Sequence, residues 1–309
     1  MPQFNLRAMT EGDRSEVAEL IHVSTNYWYE ANRNLKIFVC RPDQADLFCR
    51  VYEDLDPGCC IVAEHSPTGR IIGSCFYHPR STHISLGIMN AHPSYFGLGV
   101  ARALLGHVCE LADRERKPLR LVSSAMNLDS YSLYHRAGFV PYASFQDMLL
   151  TVPREGLPVA VPRINHVRDA TLDDLSSLVE LERQLLGIER ENDLRYFIEN
   201  REGIWSISVL AESDGSISGY LASVNDPASN MLGPGCSKTQ DDAAALILSE
   251  LNRYPGQTPV WLIPTSCNAL AQTLYSWGAR NCELHFGQIR GGQASFTGVM
   301  MPTFMPETA

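Results

Sequence analysis

Hydrophobic positions in the first 150 residues follow two spacings in turn, one typical of strands and one typical of helices. Residues 100–116, for example, place Val100, Leu104 and Val108 on one face of a helix and charged side chains on the other. The predicted order is strand 4–9, helix 11–29, helix 44–52, a hairpin of strands 59–64 and 70–77, strand 83–90, helix 100–116, strand 119–125, helix 130–137 and strands within 139–152. This order predicts an α/β fold with a mixed (α+β) sheet flanked by helices.

A proline-rich stretch then interrupts the pattern. Residues 151–163 contain Pro153, Pro158 and Pro162, and proline both fixes φ and removes a backbone donor. Such a segment is expected to run extended between folded units. The sequence therefore predicts a first domain over 1–152, a linker over 153–162 and a second domain over 163–309.

The element order after the linker repeats the order before it. Matched landmarks appear in the same sequence: residues 167–175 resemble 6–14, residues 211–215 repeat the strand end and turn of 63–69, and residues 268–278 repeat 127–138. Self-similarity of this kind is the signature of an internal duplication. We expect two tandem copies of one fold.

Composition narrows the class of protein. The 309 residues are 45% hydrophobic and carry a formal charge of −10, from 35 acidic and 25 basic residues, with no basic patch. This disfavours nucleic acid as a partner and mildly favours cationic ligands. We expect no signal peptide and no membrane span, hence a cytoplasmic protein. Nine cysteines without a CxxC pair indicate reduced thiols, and nine histidines without zinc spacing predict no metal site.

The segment from Ile88 to Leu105 carries the strongest chemical signal. A short loop with Gly97 and Gly99 leads directly into the helix that begins at Val100. The first turn of a helix offers unpaired N–H groups, and glycines let a phosphate approach them closely. No carboxylate lies in this segment to compete with an anion. The loop lacks the Gly-Lys-Ser/Thr of a Walker motif, and a tight strand-to-helix turn remains the alternative interpretation.

Two motifs resemble the acetyltransferases of the GNAT superfamily. HPSYFGLGVARALL, residues 92–105, resembles their acetyl-CoA loop, V-x-P-x-Y-R-G-x-G-[IV]-[GA]-x-x-L-[LI], with Phe96 in place of the common Arg or Gln. The pattern N-x(6)-Y-x(3)-G-F is met by Asn127, Tyr134, Gly138 and Phe139. Together the motifs cover about the first 150 residues in the order of the family.

The resemblance implies a set of cofactor contacts. Main-chain atoms near Met89 would hold the pantetheine arm like an added strand and stabilise the oxyanion, while the glycine loop would take the pyrophosphate of acetyl-CoA. It also implies a splay between the fourth and fifth strands, into which the cofactor wedges. The implied cofactor-binding residues are Met89, Asn90, Ala91, Phe96, Gly97, Leu98, Gly99, Val100, Ala101, Asn127, Ser130 and Tyr134.

The implied mechanism is direct acetyl transfer to an amine in a ternary complex. Tyr134 would act as general acid toward the departing sulfur, unless it is a core aromatic. Strand alternation places His83, Ser85, Gly87 and Met89 on one face, where His83 is the candidate base and a water chain the alternative. The aromatic pair Tyr27 and Trp28 either contacts the substrate or packs internally.

The second copy looks degenerate at its loop. Residues 236–248 have lost the glycines, Thr239 can cap the helix, and Asp241 and Asp242 occupy its first turn. We expect an N-acetyltransferase, active in the first copy only, whose acceptor is a small-molecule or peptide amine, as a monomer or homodimer. The alternatives are a catalytically silent acyl-CoA-binding or sensing protein and a purely structural duplication.

Overall fold

The computed structural model describes residues 3–307, which fold around one 13-stranded mixed sheet. The strands of the first half are β1 (Phe4–Ala8), β2 (Cys60–His65), β3 (Ile71–Pro79), β4 (Ile84–Ala91), β5 (Leu119–Ser124) and β6 (Val140–Leu149). Its helices are α1 (Arg14–Arg33), α2 (Asp46–Leu55), α3 (Val100–Glu115) and α4 (Leu128–Arg136). The predicted types and order of elements are confirmed, except that residues 139–152 contain one strand, β6, and not several.

The second half repeats that order and adds a last short strand. Its strands are β7 (Val167–Asp169), β8 (Trp205–Ala211), β9 (Ile217–Asp226), β10 (Ser229–Ser237), β11 (Val260–Pro264), β12 (Arg280–Arg290) and β13 (Val299–Met301). Its helices are α5 (Leu175–Leu186), α6 (Glu191–Glu199), α7 (Gln240–Leu251) and α8 (Asn268–Ser276).

Both halves enter their first helix through the same polar network. Arg7 forms an ion pair with Asp13 at 2.7 Å, and Arg168 forms one with Asp174 at 2.7 Å. In each half the aspartate also accepts the N–H of a threonine three residues earlier, at 2.8 Å. The hydrogen bonds of this turn are made by its own residues, and residues 11–13 form a 3₁₀ turn. The first helix therefore begins at Arg14 rather than at the predicted Glu11.

The two halves exchange their final strands. The order across the centre of the sheet is β4-β5-β12-β6-β11-β10, so β12 of the second half lies between β5 and β6 of the first. Register places His285 opposite Ser124 and Glu283 opposite Asp147. Each half therefore completes its sheet with a strand from the other. The linker, residues 153–162, contains no helix or strand.

Helices cover both faces of the sheet. Side chains of α1, α2, α5 and α6 share one buried cluster with strands of both halves. On the opposite face, α3 and α4 pack over the first half, and α7 and α8 pack over the second.

Within residues 3–307, no helix has both the length and the apolar character needed to cross a membrane.

Candidate functional site

The first half contains a gap between two parallel strands. β4 and β5 pair only through Ile84 with Leu119 and Ser85 with Arg120. Beyond these residues β4 stays paired with β3 as far as Ala91, but its other edge has left β5. This splay leaves the β5-side edge of β4 without a strand partner, as an extended ligand would need. The splay that the resemblance implied is present.

A bulge bends β4 where the splay opens. Cys75 of β3 pairs with Met89 and Tyr77 pairs with Leu86, so two residues of β4 lie opposite Phe76. Leu86 and Met89 consequently both pack on the α3 side of the sheet. The predicted common face of Ser85, Gly87 and Met89 is therefore wrong, because the extra residue reverses the alternation after the bulge.

The glycine loop ends at a helix terminus that no side chain caps. Gly97 and Gly99 have φ values of +85° and +82°, and a Cβ on either would meet nothing within 4 Å. Gly99 is the N-cap of α3, and no acidic residue occupies the first turn of that helix. Amides without a side-chain cap at the positive end of a helix dipole suit an anion, so the loop fits a diphosphate.

Two aromatic side chains form the rim of this loop. Phe96 is 59% exposed, and its ring lies edge-on to Tyr27 with 5.9 Å between centroids. Trp28 instead packs edge-on against Tyr29, at 4.9 Å. Of the two predicted substrate residues, Tyr27 thus lies beside the glycine loop and Trp28 lies against its neighbour on α1.

Tyr134 lies on α4, on the same face of the sheet as α3. It is 8% exposed, and its ring packs edge-on to Phe139 at 5.8 Å. Burial raises the pKa of Tyr134 above its ordinary value, and the nearby Cys75 and Glu307 raise it further. The phenol is therefore protonated at neutral pH. Asn127 caps the same helix, since its Oδ1 accepts the N–H of Ser130 at 3.0 Å.

His83 lies at the opposite end of β4 from the loop. It precedes the first residue of the strand, and its Nδ1 is 2.9 Å from the hydroxyl of Thr82. Its carbonyl accepts the N–H of Arg80, whose guanidinium forms an ion pair with Asp56 at 2.7 Å. Six residues separate His83 from Met89, or about 20 Å of extended chain. The structure does not bring His83 to the open part of the splay.

Sequence reasoning missed a buried polar group on the α1 face, which we name the acid–histidine cluster. It consists of Asp147, Glu283 and His285, all less than 9% exposed, with the hydroxyls of Tyr29 and Ser124. Glu283 accepts hydrogen bonds from Tyr29 (2.9 Å) and from Ser124, and His285 Nδ1 lies 2.7 Å from Asp147. Burial raises the pKa of Asp147 and of Tyr29.

The strand register places this cluster at the splay. Ser85 pairs with Arg120, and four residues further along are Met89 and Ser124, so Ser124 lies across the gap from the bulged part of β4. Glu283 and His285 belong to β12, which only the strand exchange brings beside β5. The available sequence signal was that Glu283 and His285 alternate with the apolar Leu284 and Phe286 in β12.

The second half has the corresponding gap, but the chain itself fills it. β10 and β11 pair only through Met231–Val260 and Leu232–Trp261. Past that point, β13 pairs antiparallel with Gly235, Cys236 and Ser237 of β10. Gly298 precedes β13 with φ +69°, and a Cβ there would overlap the carbonyl of Ser237. The backbone edge that is open in the first half is hydrogen-bonded here.

The helix that follows this second gap is capped. Thr239 Oγ1 accepts the N–H of Asp242 at 3.1 Å, and the Asp242 carboxylate forms an ion pair with Arg163 at 2.8 Å. Tyr275, at the position that matches Tyr134, is 40% exposed and donates to Gln146 at 3.1 Å. A cavity of about 350 Å³ remains beside Lys238 and Asp241.

Comparison with known proteins agrees with the duplication. The model of the acetyltransferase (GNAT) family matches residues 25–139, and that of an acetyltransferase (GNAT) domain matches 178–285. Together they span well over half of the chain. No curated protein matches it.

Solved structures share the fold along nearly all of the chain. A putative acetyltransferase from Pyrococcus horikoshii superposes with a TM-score of 0.73 at 15% identity, over 95% of this chain and 91% of that one. An N-acetyltransferase related to GCN5 from Sphaerobacter thermophilus gives 0.65 at 17%, over 96% and 98%. A tandem GNAT protein from the clavulanic acid biosynthesis pathway gives 0.62 at 14%, over 94% and 100%. The chain belongs to the GNAT superfamily of acetyltransferases, as a member with two tandem domains.

Proposed function

We propose that this protein is an acetyl-CoA-dependent N-acetyltransferase whose first copy acetylates a primary amine by direct transfer in a ternary complex. The observation that carries the proposal is the open β4 edge beside an uncapped, glycine-led helix. In this proposal residues 1–152 are the active copy, 153–162 the linker and 163–309 the second copy, apart from the exchanged strands.

The residues around the splay have distinct roles in this proposal. Backbone groups of 89–91 bind the pantetheine arm, and the amides of 97–101 bind the diphosphate, with Phe96 at the rim of the loop. Asn127 with Ser130 borders the cofactor at α4. Bound acetyl-CoA supplies the acetyl group on a thiol leaving group. Tyr134 holds its proton at neutral pH and donates it toward the sulfur position. His83 precedes the far end of β4 and is too distant to act there directly as the base.

The acid–histidine cluster favours a cationic acceptor. Glu283 is buried and has hydroxyl groups, from Tyr29 and Ser124, as its hydrogen-bond partners. Hydroxyl partners can rotate away at low cost, and a buried carboxylate gains from an ammonium group beside it. Tyr27 at the rim of the loop is the proposed further contact of the acceptor, with Trp28 behind it.

Calorimetric titration of the whole chain tests the cofactor site. We expect one acetyl-CoA per polypeptide and no binding to the double variant Gly97→Val/Gly99→Val. Gly203→Val is the matched control, because Gly203 also has a positive φ (+72°) with open space around it but lies in a turn of the second half. Undiminished binding by the double variant would contradict the proposal.

Release of coenzyme A thiol over a panel of amines tests catalysis. A binding or sensing protein without catalytic activity would bind acetyl-CoA and release no thiol with any amine. A structural duplication would show neither binding nor a thermal shift. Amine-dependent release by the wild type supports the enzyme.

A further inference from the structure

The proposed reaction has no proton acceptor on β4, the strand that lines the splay. Residues 84–91 of β4 read ISLGIMNA and contain no carboxylate or imidazole. His83 lies beyond the far end of the strand from the bulge. The acceptor ammonium must lose protons before and during attack, so a base has to come from another part of the chain.

The C-terminal tail of the second copy reaches the first copy's site. After β13, Thr303 and Met305 are 2% and 0% exposed, and the ring of Phe304 lies 4.5 Å from that of His285. The tail therefore runs across the acid–histidine cluster. At its end, the Glu307 N–H donates to the Tyr52 hydroxyl (3.4 Å), which in turn donates to the Glu307 carboxylate (3.5 Å).

Tyr52 lies over the bulge of β4. Its ring is 4.9 Å from that of Phe76, the residue that faces the bulge, and 4.7 Å from that of His78. A Cβ at Gly87, within the bulge, would be 2.7 Å from His78 Nε2. Tyr52, and with it Glu307, is thus one side-chain layer from the strand segment where the splay opens.

The charge of Glu307 also acts on two buried groups on the α3 side of the sheet. It raises the pKa of Tyr134 on α4 and of Cys75 on β3. The titratable groups around Glu307 are therefore Tyr52, Cys75 and Tyr134, with His78 behind Tyr52. Within residues 3–307, no cation is among the groups that set the pKa of Glu307, and burial raises that pKa to about 8.

We propose that Glu307, delivered by the tail of the second copy, is the general base for the acceptor amine in the first copy. This rests on the proposed function of the first copy. Glu307 is partly exposed, so an acceptor can reach it. A largely desolvated carboxylate without a cationic partner attracts an incoming ammonium group and can take its proton. The second copy would then supply part of the active site of the first, in addition to β12.

Each proton of the reaction has a donor and an acceptor. Glu307 takes one proton from the ammonium, and the neutral nitrogen forms a bond to the thioester carbonyl carbon. The carbon–sulfur bond breaks, and the sulfur takes the proton of Tyr134. The second nitrogen proton returns to Tyr134 through solvent, and Glu307 releases its proton to solvent. The products are the acetylated amine, the thiol and one proton.

Glu307→Gln tests this assignment, since glutamine keeps the shape and the Tyr52 contact but cannot act as a base. We expect kcat/KM to fall at least about 100-fold, with loss of the limb of the pH profile that rises toward about pH 8. Affinity for coenzyme A, measured by calorimetry, should stay within about twofold. Glu155→Gln, in the exposed linker, is the control.

Thermal unfolding gives a readout independent of turnover. The pKa of Glu307 is raised from 4.5 to about 8, so between those pH values the folded protein holds a proton that the unfolded chain has lost. The wild type should therefore lose stability as pH rises through that window. Relative to Glu307→Gln, its Tm should fall by roughly 2 °C or more.

The possible outcomes separate the two proposals. If Glu307→Gln keeps or exceeds wild-type turnover with the same pH profile, while Tyr134→Phe loses turnover, the base assignment is wrong and the proposed function stands. If the wild type binds acetyl-CoA but releases no thiol with any amine, both are wrong. Loss of turnover and of the pH limb in Glu307→Gln, with coenzyme A affinity retained, supports both.

Discussion

The two halves of this molecule contain the same gap in the sheet, and they treat it in opposite ways. In each half two parallel strands pair over two residues and then separate. The first gap leaves the edge of β4 unpaired beside α3, whose N-cap is Gly99, whereas β13 fills the second gap. A duplicated fold can therefore keep the same architecture in both copies. The three residues of β13 decide which copy has room for an extended ligand.

The helix termini beside the gaps differ in the same sense. The first turn of α3 has no carboxylate and no cap, while α7 has Thr239 as its cap and both Asp241 and Asp242 in its first turn. A carboxylate about 5 Å from a phosphate costs about 3 kcal/mol at an effective dielectric constant of about 20. The second terminus is capped by its own side chains, and we expect its carboxylates to disfavour a phosphate there.

The two matched tyrosines give the largest expected contrast. Tyr134→Phe should lower kcat by about 100- to 1,000-fold, because the proton for the departing sulfur is lost. Tyr275→Phe should leave kcat unchanged, since Tyr275 is 40% exposed and bonded to Gln146. Steady-state thiol release checks both variants, and equal effects would end the contrast between the copies.

The filled gap should be sensitive to any side chain at Gly298. Gly298→Ala forces a Cβ against the Ser237 carbonyl at a positive φ, and we expect about 3 kcal/mol of destabilisation. Gly291→Ala is the matched control, since Gly291 also has a positive φ (+77°) but its nearest neighbours would be 3.9 Å away, for which we expect about 1 kcal/mol. Urea unfolding measures both. Equal losses would mean that β13 does not close the gap tightly.

The first terminus can be made to resemble the second. Ala101→Asp places a carboxylate in the first turn of α3, where Asp241 lies in α7. Repulsion of the diphosphate should weaken acetyl-CoA binding by up to about 100-fold. Ala101→Asn has the same shape without the charge and should lose much less. Calorimetry at two salt concentrations would show whether the difference is electrostatic.

The smallest expected effect concerns the cap of α7. Thr239→Ala removes the hydroxyl that accepts the Asp242 N–H, at a cost of about 1 kcal/mol of stability. The stoichiometry of acetyl-CoA binding should remain one per chain, because β13 still fills the gap between β10 and β11. A second binding event in this variant would show that capping, rather than β13, keeps the ligand out.

Local patterns were sufficient for most of the fold. The order of helices and strands, the glycine loop and the recurrence of Arg7 and Thr10 as Arg168 and Thr171 all depend on residues close together in the chain. The bulge in β4 was not predictable in this way, since one inserted residue changes the face of Met89 without changing composition.

The parts of the site that the sequence did not reveal are those that depend on distant pairing. Glu283 meets Ser124 across 159 residues, and Glu307 meets Tyr52 across 255. The periodicity of hydrophobic residues does not specify that β12, rather than β6, pairs with β5. Strand alternation favours His83 as base because it belongs to the predicted fourth strand, whereas Glu283 and Glu307 reach the site from segments of the other copy.

The exchange of final strands also has a consequence for biosynthesis. While the chain is being made, β5 has no neighbour on its outer side until residues 280–290 have left the ribosome. The first half then presents an unpaired strand edge during translation of more than 150 further residues, a period in which such edges invite aggregation. Folding that depends on such remote contacts is slow, so this protein is expected to depend on chaperones during synthesis more than a single-domain relative would.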